Sequence, residues 1–343
     1  MSLKEIAIEA GVSISTVSRV LNGTATISDE TIKKVLQIAE ETGYLHKRKQ
    51  TKQLERSALI NKQVLLVVPQ QALLTSQNNL ISVKLVESIK SLCSEKNVKL
   101  NTFISEPNRL SISKLKSLLD KKHFDGILAV WSDTQELLDE IAHRHVPAVL
   151  INGEDRAMKI DSVSISNRYG AILGVDYLIN QGHKNIALLT YKNRKPIYLR
   201  ESGFRDSLHE AKLDTQPHTQ IISNSFNYDD AYQAVTDWLP NRDKSVTAIF
   251  CVTDMLAYGA IKAIQDHGLN VPEDISVMGM DDVLPIELMH PQLTTVRLPF
   301  DALALEALAL LDEQLFREET EKAYYRHLEL SSTLVVRDSV SCI

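Results

Sequence analysis

GVSISTVSRVLNG, residues Gly11 to Gly23, is the stretch from which the rest of the chain can be read. Gly11 permits a tight turn, and the Ser13 hydroxyl stands where it caps free backbone N–H groups, so a helix begins at Ser13 and runs from Ile14 to Leu21. Residues three and four apart share a helix face. Val17, Val20 and Leu21 therefore form one apolar stripe, and Ile14, Ser15, Ser18 and Arg19 share the opposite, outward face. An outward face that combines an isoleucine, small hydroxyls and one arginine suits a DNA major groove. There Arg bonds guanine bidentately and an aliphatic group meets a thymine methyl. The flanks agree. LKEIAIEA (Leu3–Ala10) reads as a first helix that offers Ile6, Ala7 and Ala10 for packing. Ser28 caps a third helix, Asp29 to Thr42, which ends at Gly43 and carries Val35, Ile38 and Ala39 on one side. The whole reads as a helix-turn-helix with its second helix in the groove.

The run LKEIAIEAGVSISTVSRVLNG, then Ser28, then the segment ending at Tyr44, resembles the LacI/GalR family of bacterial transcriptional regulators. The resemblance implies that Ile14 and Ser15 stand at the family's variable base-reading positions and Arg19 at its guanine-reading position. It implies that Thr16, Ser18 and Asn22 hold the helix in register on the phosphate backbone, with Leu3 and Ser13 as further DNA-contacting residues. It also implies a hinge in which a leucine wedges into the minor groove. Leu54 is the candidate, one residue further from Tyr44 than in many relatives, and His46, Lys47 and Gln50 replace the family's usual residues before it. The implied partners are double-stranded operator DNA and a second copy of the chain, because pseudo-palindromic operators match a two-fold homodimer. The chain closes on STLVVRDSVSCI, a last strand and short tail without a leucine heptad, so no tetramer is expected.

At 343 residues the chain exceeds one ordinary core, and 44% hydrophobic residues is a globular value. No apolar run approaches a membrane span and no signal sequence precedes the first helix, so a cytoplasmic protein with no membrane partner is expected. Cys93, Cys251 and Cys342 are far apart and form no CxxC pair, which suggests reduced structural thiols. His143 and His145 lack a third ligand nearby and read as surface residues, so no metal is expected. A net charge of −6 argues at first against nucleic acid, but its distribution reverses the argument. Residues 1–56 hold nine Lys or Arg and seven Asp or Glu, a net +2, which leaves −8 for the remaining 287 residues. Within YLHKRKQTKQLER, Tyr44 to Arg56, five basic residues face only Glu55. That is the electrostatic footprint of phosphate binding.

Beyond Asn61, apolar runs alternate with helical stretches. Strands read at Val64–Pro69, Lys99–Ile104, Gly126–Val130 and Pro147–Ile151, with helices near 80–96, 111–121 and 134–144 between them. A second series follows: a helix from about Arg168 to Gly182, then the strands Asn185–Thr190, Gln220–Ser223, Thr247–Val252 and Ile275–Met280 with their own helices. Such alternation implies parallel sheets covered on both faces. The expected fold is an all-α helix-turn-helix headpiece (1–46), a linker (47–61) and an α/β effector-binding and dimerisation body (62–343) of two doubly wound lobes. The resemblance implies a body like the periplasmic sugar-binding proteins. Its first lobe would take about 62–160 and 294–320, and its second about 161–293 and 321–340.

Ligands of open parallel sheets bind beyond the carboxyl ends of the strands, which in a two-lobed body means the cleft. Asn152, Thr253 and Asp281 end strands, and Arg200 sits in LRESGF, similar to the family's Arg-x-x-Gly-aromatic motif. A guanidinium fork and a carboxylate bracket neighbouring sugar hydroxyls, while aromatic walls, here Phe226 and Phe300, cover the C–H face. Matching to the family places Arg200, Thr253, Asp281 and Phe300 at effector positions. Asp254 is expected to cap the following helix, and Asp282 to be structural. Lys192, Arg194 and Lys195 read as a solvated loop, with an acidic effector as the alternative. The chain thus reads as a repressor of a carbohydrate-utilisation operon governed by a sugar or sugar derivative. The alternative is a regulator whose effector is a non-sugar or phosphorylated corepressor. A sugar-binding transport protein would need a secretion signal. An enzyme would need a catalytic signature, and GxSxG, a P-loop, GxGxxG, HExxH and paired zinc ligands are all missing, so neither catalytic residues nor cofactors are expected.

Overall fold

The computed structural model describes residues 3–21, 28–41, 57–70, 80–106, 108–132, 134–192, 195–213, 219–283, 290–317 and 324–343. The chain divides into two compact units, Met1–Ile60 and Asn61–Ile343. Asn22 and Leu54 lie outside the described residues, as do Tyr44 and the basic linker that follows it.

Among the described residues the first unit holds three helices, α1 (Leu3–Ala10), α2 (Ile14–Leu21) and α3 (Asp29–Glu41). Their core is the one the periodicity predicts: Ile6, Ala7, Ala10, Val17, Val20, Val35, Ile38 and Ala39, with Val12, Leu21 and Ile32 packed at its margin. Gly11 makes the turn at φ 72°, a conformation that costs other residues strain. The Ser13 hydroxyl accepts the Thr16 N–H at 3.1 Å, and the Ser28 hydroxyl accepts the Thr31 N–H at 3.4 Å, so both predicted caps form.

The second unit holds two six-stranded sheets. In chain order its elements begin β1 (Gln63–Pro69), α4 (Leu80–Glu95), β2 (Lys99–Ser105), α5 (Arg109–Lys121), β3 (Gly126–Val130), α6 (Gln135–His143), β4 (Ala148–Ile151) and β5 (Asp161–Ile165). Then come α7 (Asn167–Asn180), β6 (Ile186–Tyr191), α8 (Lys195–Glu210), β7 (Gln220–Ser223), α9 (Tyr228–Trp238), β8 (Ala248–Cys251), α10 (Asp254–Asp266), β9 (Ser276–Asp281) and β10 (Thr294–Arg297). Last are α11 (Phe300–Phe316), β11 (His327–Leu330) and β12 (Thr333–Val335). The first sheet runs β11-β5-β4-β3-β1-β2, wholly parallel; the second runs β12-β10-β9-β8-β6-β7, parallel except at β12. Their central strands are apolar without alternation, as sheets buried on both faces require.

The lobes therefore divide differently from the sequence expectation in three places. β5, read as the start of the second lobe, pairs with β4 in the first sheet. Its sequence, DSVSI, alternates hydroxyls with two β-branched aliphatics, a short strand pattern, and pairing on both sides places it in the first sheet. Residues 294–297 join β9 in the second sheet, so the chain crosses after Arg297 rather than before Thr294. β11 returns to the first sheet beside β5, where the C-terminal strands were expected in the second lobe. Only the β11–β5 pairing, His327 with Ser162, spans more than a hundred positions; β5 with β4 and β10 with β9 are near in sequence, and there it is the choice of lobe that local signals leave open. Among the described residues no helix is long and apolar enough to cross a membrane. None of the described His, Cys, Asp and Glu residues gather into a group able to hold a metal, and His143 and His145 are exposed.

Candidate functional site

In the first unit α2 turns its apolar stripe inward and its predicted reading face outward. Val17 and Val20 are buried, whereas Ile14 is 48% exposed and Ser15 and Arg19 are also exposed. Ser13 Oγ lies 2.7 Å from Ser15 Oγ and 2.8 Å from Thr16 Oγ1, a hydroxyl chain across the first turn of the helix. An isoleucine on a solvent face has no packing reason to be there, and helix N-terminal N–H groups with hydroxyls attract phosphate. Thr16 and Ser18 are half-buried beside this face. Leu3 opens α1.

In the second unit the predicted residues fall into a pair that the fold brings together and a set of flanking positions. Arg200 and Asp281 are only 6% and 3% exposed, and Arg200 Nη1 donates to Asp281 Oδ1 at 3.0 Å. The same nitrogen donates to the Val252 carbonyl at 2.6 Å, and Nε donates to Asn167 Oδ1 at 2.9 Å. Four elements thus aim one guanidinium: α8 carries it, α7 supplies Asn167, the Val252 carbonyl follows directly on β8 and β9 ends at Asp281. Gly203 makes this possible. A Cβ there would lie 2.2 Å from the Arg168 carbonyl, so only glycine lets α8 approach α7 closely enough for Arg200, one turn away, to reach Asn167. No protein group among the described residues engages Nη2, which leaves that edge of the fork for a ligand.

Asp254 corrects the sequence expectation. Thr253 is the cap, its hydroxyl accepting the Leu256 N–H at 3.4 Å. Asp254 is instead buried behind Asp281, accepting the Thr295 hydroxyl at 2.6 Å and the Asp282 N–H at 2.7 Å. A Cβ on Gly279 would lie 2.3 Å from Asp254 Oδ1, so β9 offers bare backbone to that carboxylate. Two carboxyls and one guanidinium cannot all be charged in so dry a place. Burial, then the charge of Asp281, pushes Asp254 up to about 7. Burial also raises Asp281, and Arg200 draws it back. Both carboxyls are thus held above the ordinary range, and Arg200 draws negative charge toward Asp281. Burial of Asp282 is outweighed by Arg337 at 2.7 Å and Arg297 at 2.6 Å, which hold its carboxyl below the ordinary range; it is structural, as expected.

The flanking positions take up the ends of other elements. Asn152 follows β4 with φ 50°, and Asp281 has φ 146°, so both sit in backbone conformations that strain non-glycine residues. Such strain collects at binding sites. Phe226 is half-buried after β7, its ring 6.0 Å from that of Tyr191 at the end of β6. Phe300 is buried at the start of α11. Lys195, expected to be solvated, pairs with Glu154. That ion pair joins the carboxyl side of β6 in the second lobe to the carboxyl side of β4 in the first, so the two strand ends face one another. Sequence reading passed over Asn167, Thr295, Tyr191 and Glu154. Tyr191 alone had a signal, as a polar-tipped aromatic ending an apolar run; the other three acquire a role only from what packs beside them.

Comparison with known proteins bears on both units. The family model described as bacterial regulatory proteins, lacI family, matches residues 2–46, and the periplasmic binding protein-like domain matches residues 175–340. The HTH-type transcriptional repressor PurR of Vibrio parahaemolyticus serotype O3:K6 is 31% identical, over 99% of this chain and 98% of its own. The protein of that name from Vibrio cholerae serotype O1 is 32% identical over the same shares. Among solved structures, the lac repressor dimer bound to operator and the anti-inducer ONPF superposes with a TM-score of 0.68 at 25% identity, covering 99% of both chains. The transcriptional regulator CelR in complex with cellobiose gives 0.67 at 25% identity, with the same coverage.

Proposed function

The chain belongs to the lacI family of bacterial regulatory proteins, non-enzymatic DNA-binding transcriptional repressors, and from that premise we propose how its two units divide the work. In the first, Ile14, Ser15 and Arg19 read base edges in the major groove, while Leu3, Ser13, Thr16, Ser18 and Asn22 hold α2 on the phosphates. Leu54 supplies the minor-groove wedge of the linker. Two copies bind one pseudo-palindromic operator as a homodimer.

In the second unit a small sugar or sugar derivative binds between the strand ends and alters operator affinity. The observation that carries this is the Arg200–Asp281 pair, buried yet with one guanidinium edge engaged by none of the described residues. A fork and a carboxylate side by side match two adjacent hydroxyls. Asn152, Thr253, Phe226 and Phe300 line the rest, and the relative crystallised with cellobiose has the same fold. The effector acts only through its differential affinity for two states of the body. A second reading rests on the Tyr191 and Phe226 rings, tilted at 47°. At this distance the two rings pack on each other, and the half-buried Phe226 offers one face on which a flat heterocycle would stack as corepressor.

The test is a melting-temperature screen of the whole protein against sugars, sugar phosphates and nucleobases, followed by operator binding with each hit. A sugar that raises the melting temperature of the native protein, and not of the Asp281→Asn variant, supports the first reading. A nucleobase hit supports the second. A hit indifferent to both Asp281→Asn and Arg200→Lys places the pocket elsewhere.

A further inference from the structure

We propose that the amino-terminal rim of the first sheet is a second DNA-contacting surface, one that grips phosphates and reads no bases. β1, β2 and β3 start side by side there. The Lys99 N–H donates to the Lys62 carbonyl at 2.8 Å, and the Asp125 N–H donates to the Gln63 carbonyl at 2.8 Å. Residues 61–62, 95–99 and 121–125 hold five lysines, Lys62, Lys96, Lys99, Lys121 and Lys122, against two carboxylates, Glu95 and Asp125, a net +3. Residues 57–343 as a whole carry −8, so positive charge is concentrated on this rim against the trend of the unit.

The side chains are disposed to meet a partner. Lys99, Lys121, Lys122 and His123 are exposed. The Lys122 ammonium is held out by Asn101 Oδ1 at 2.6 Å and lies 5.3 Å from the Phe124 ring centroid. The neighbouring guanidinium, Arg144, is neutralised by Asp120 and Glu140 and adds nothing. Lysines without arginines or exposed aromatics are the reverse of a protein-binding surface, where Lys is depleted and Tyr, Trp and Arg are enriched. They are what a phosphate backbone selects, since each ammonium acts as a point charge. In sequence the rim continues the basic run that ends at Arg56, five residues before Asn61. An operator bound by the first unit is thereby tethered to this rim at high effective concentration.

The inference rests on the first unit being the operator reader, and the experiment separates the two. Operator sites are selected from random duplexes by the full-length protein, and affinity is measured across salt concentration for the selected and a scrambled duplex. The triple variant Lys99→Gln, Lys121→Gln, Lys122→Gln is expected to lower the slope of log K against log salt by roughly 1 to 3, at about 0.9 per lost phosphate contact. Its affinity should weaken about equally on both duplexes, with an unchanged melting temperature. Arg19→Ala should instead erase most of the preference for the selected duplex. An unchanged slope in the triple variant overturns the rim, and so does a loss confined to the selected duplex. If Arg19→Ala keeps the preference intact, it is the first unit's role that fails, whatever the lysines do.

Discussion

The two units solve the problem of carrying polar functional groups in opposite ways. In the helical unit the proposed reading face of α2 lies on the far side of the helix from the core, so Val17 and Val20 fold the unit while Ile14, Ser15 and Arg19 face solvent. In the α/β unit Arg200 and Asp281 are both buried and bonded to the backbone and side chains that define the sheet's carboxyl edge. Function and fold are separable in the first and shared in the second. A recognition face can vary freely, whereas a buried site changes only together with its supports.

The largest effect that tests this contrast is Arg200→Ala, which leaves Asp281 buried without its partner. Breaking a buried pair costs about 3–5 kcal/mol. The denaturation midpoint should fall accordingly, and the double variant Arg200→Met, Asp281→Leu should lose less than Arg200→Ala alone. Next comes the pH response of Asp254. Its carboxyl is raised from 3.8 to about 7 in the folded protein, so the native state binds the extra proton. Its stabilising contribution is full below pH 3.8 and is lost as pH rises through about 7. Asp254→Asn, which cannot ionise, should therefore gain in melting temperature relative to the native protein as pH rises across that window. A constant difference would mean that the proton is not on Asp254.

Arg19→Ala should weaken operator binding by about 1–3 kcal/mol while moving the melting temperature little, since the side chain lies outside the core. A large loss of stability there would collapse the contrast between the units. The smallest effect is Ser13→Ala, which removes the hydroxyl that accepts the Thr16 N–H. It should cost about 1 kcal/mol, seen as earlier melting of the helical unit by amide exchange.

The helical unit was almost wholly legible. The three helix starts, both serine caps, the Gly11 turn and the apolar stripes read from periodicity appear where expected, because helix signals act within a few residues of one another, while Thr42 and Gly43, read as the end of the third helix, lie outside the described residues. The body was legible as alternation but not as partition. β5 has the alternation of a strand but nothing in it chooses the lobe, β10 joins β9 just before it in sequence instead of the first sheet, and β11 pairs with β5 more than 160 positions away. At the candidate site, Arg200 was singled out by the LRESGF motif and Asp281 by its place at a strand end, whereas Asp254 was read as a helix cap because an acid that follows a strand and opens a helix has that look. Thr253 had already taken the cap.

From sequence alone came the DNA-reading helix, the two α/β series and the polar residues that end their strands, all set by short-range periodicity and capping chemistry. Tertiary structure alone decided which strands share a sheet. It also decided that Asn167, Arg200, Val252, Asp254, Asp281 and Thr295 meet, and that burial raises both carboxyls together. Parallel pairing brings the carboxyl ends of distant strands to one edge, and burial at that edge turns ordinary polar residues into a coupled set whose charges depend on one another.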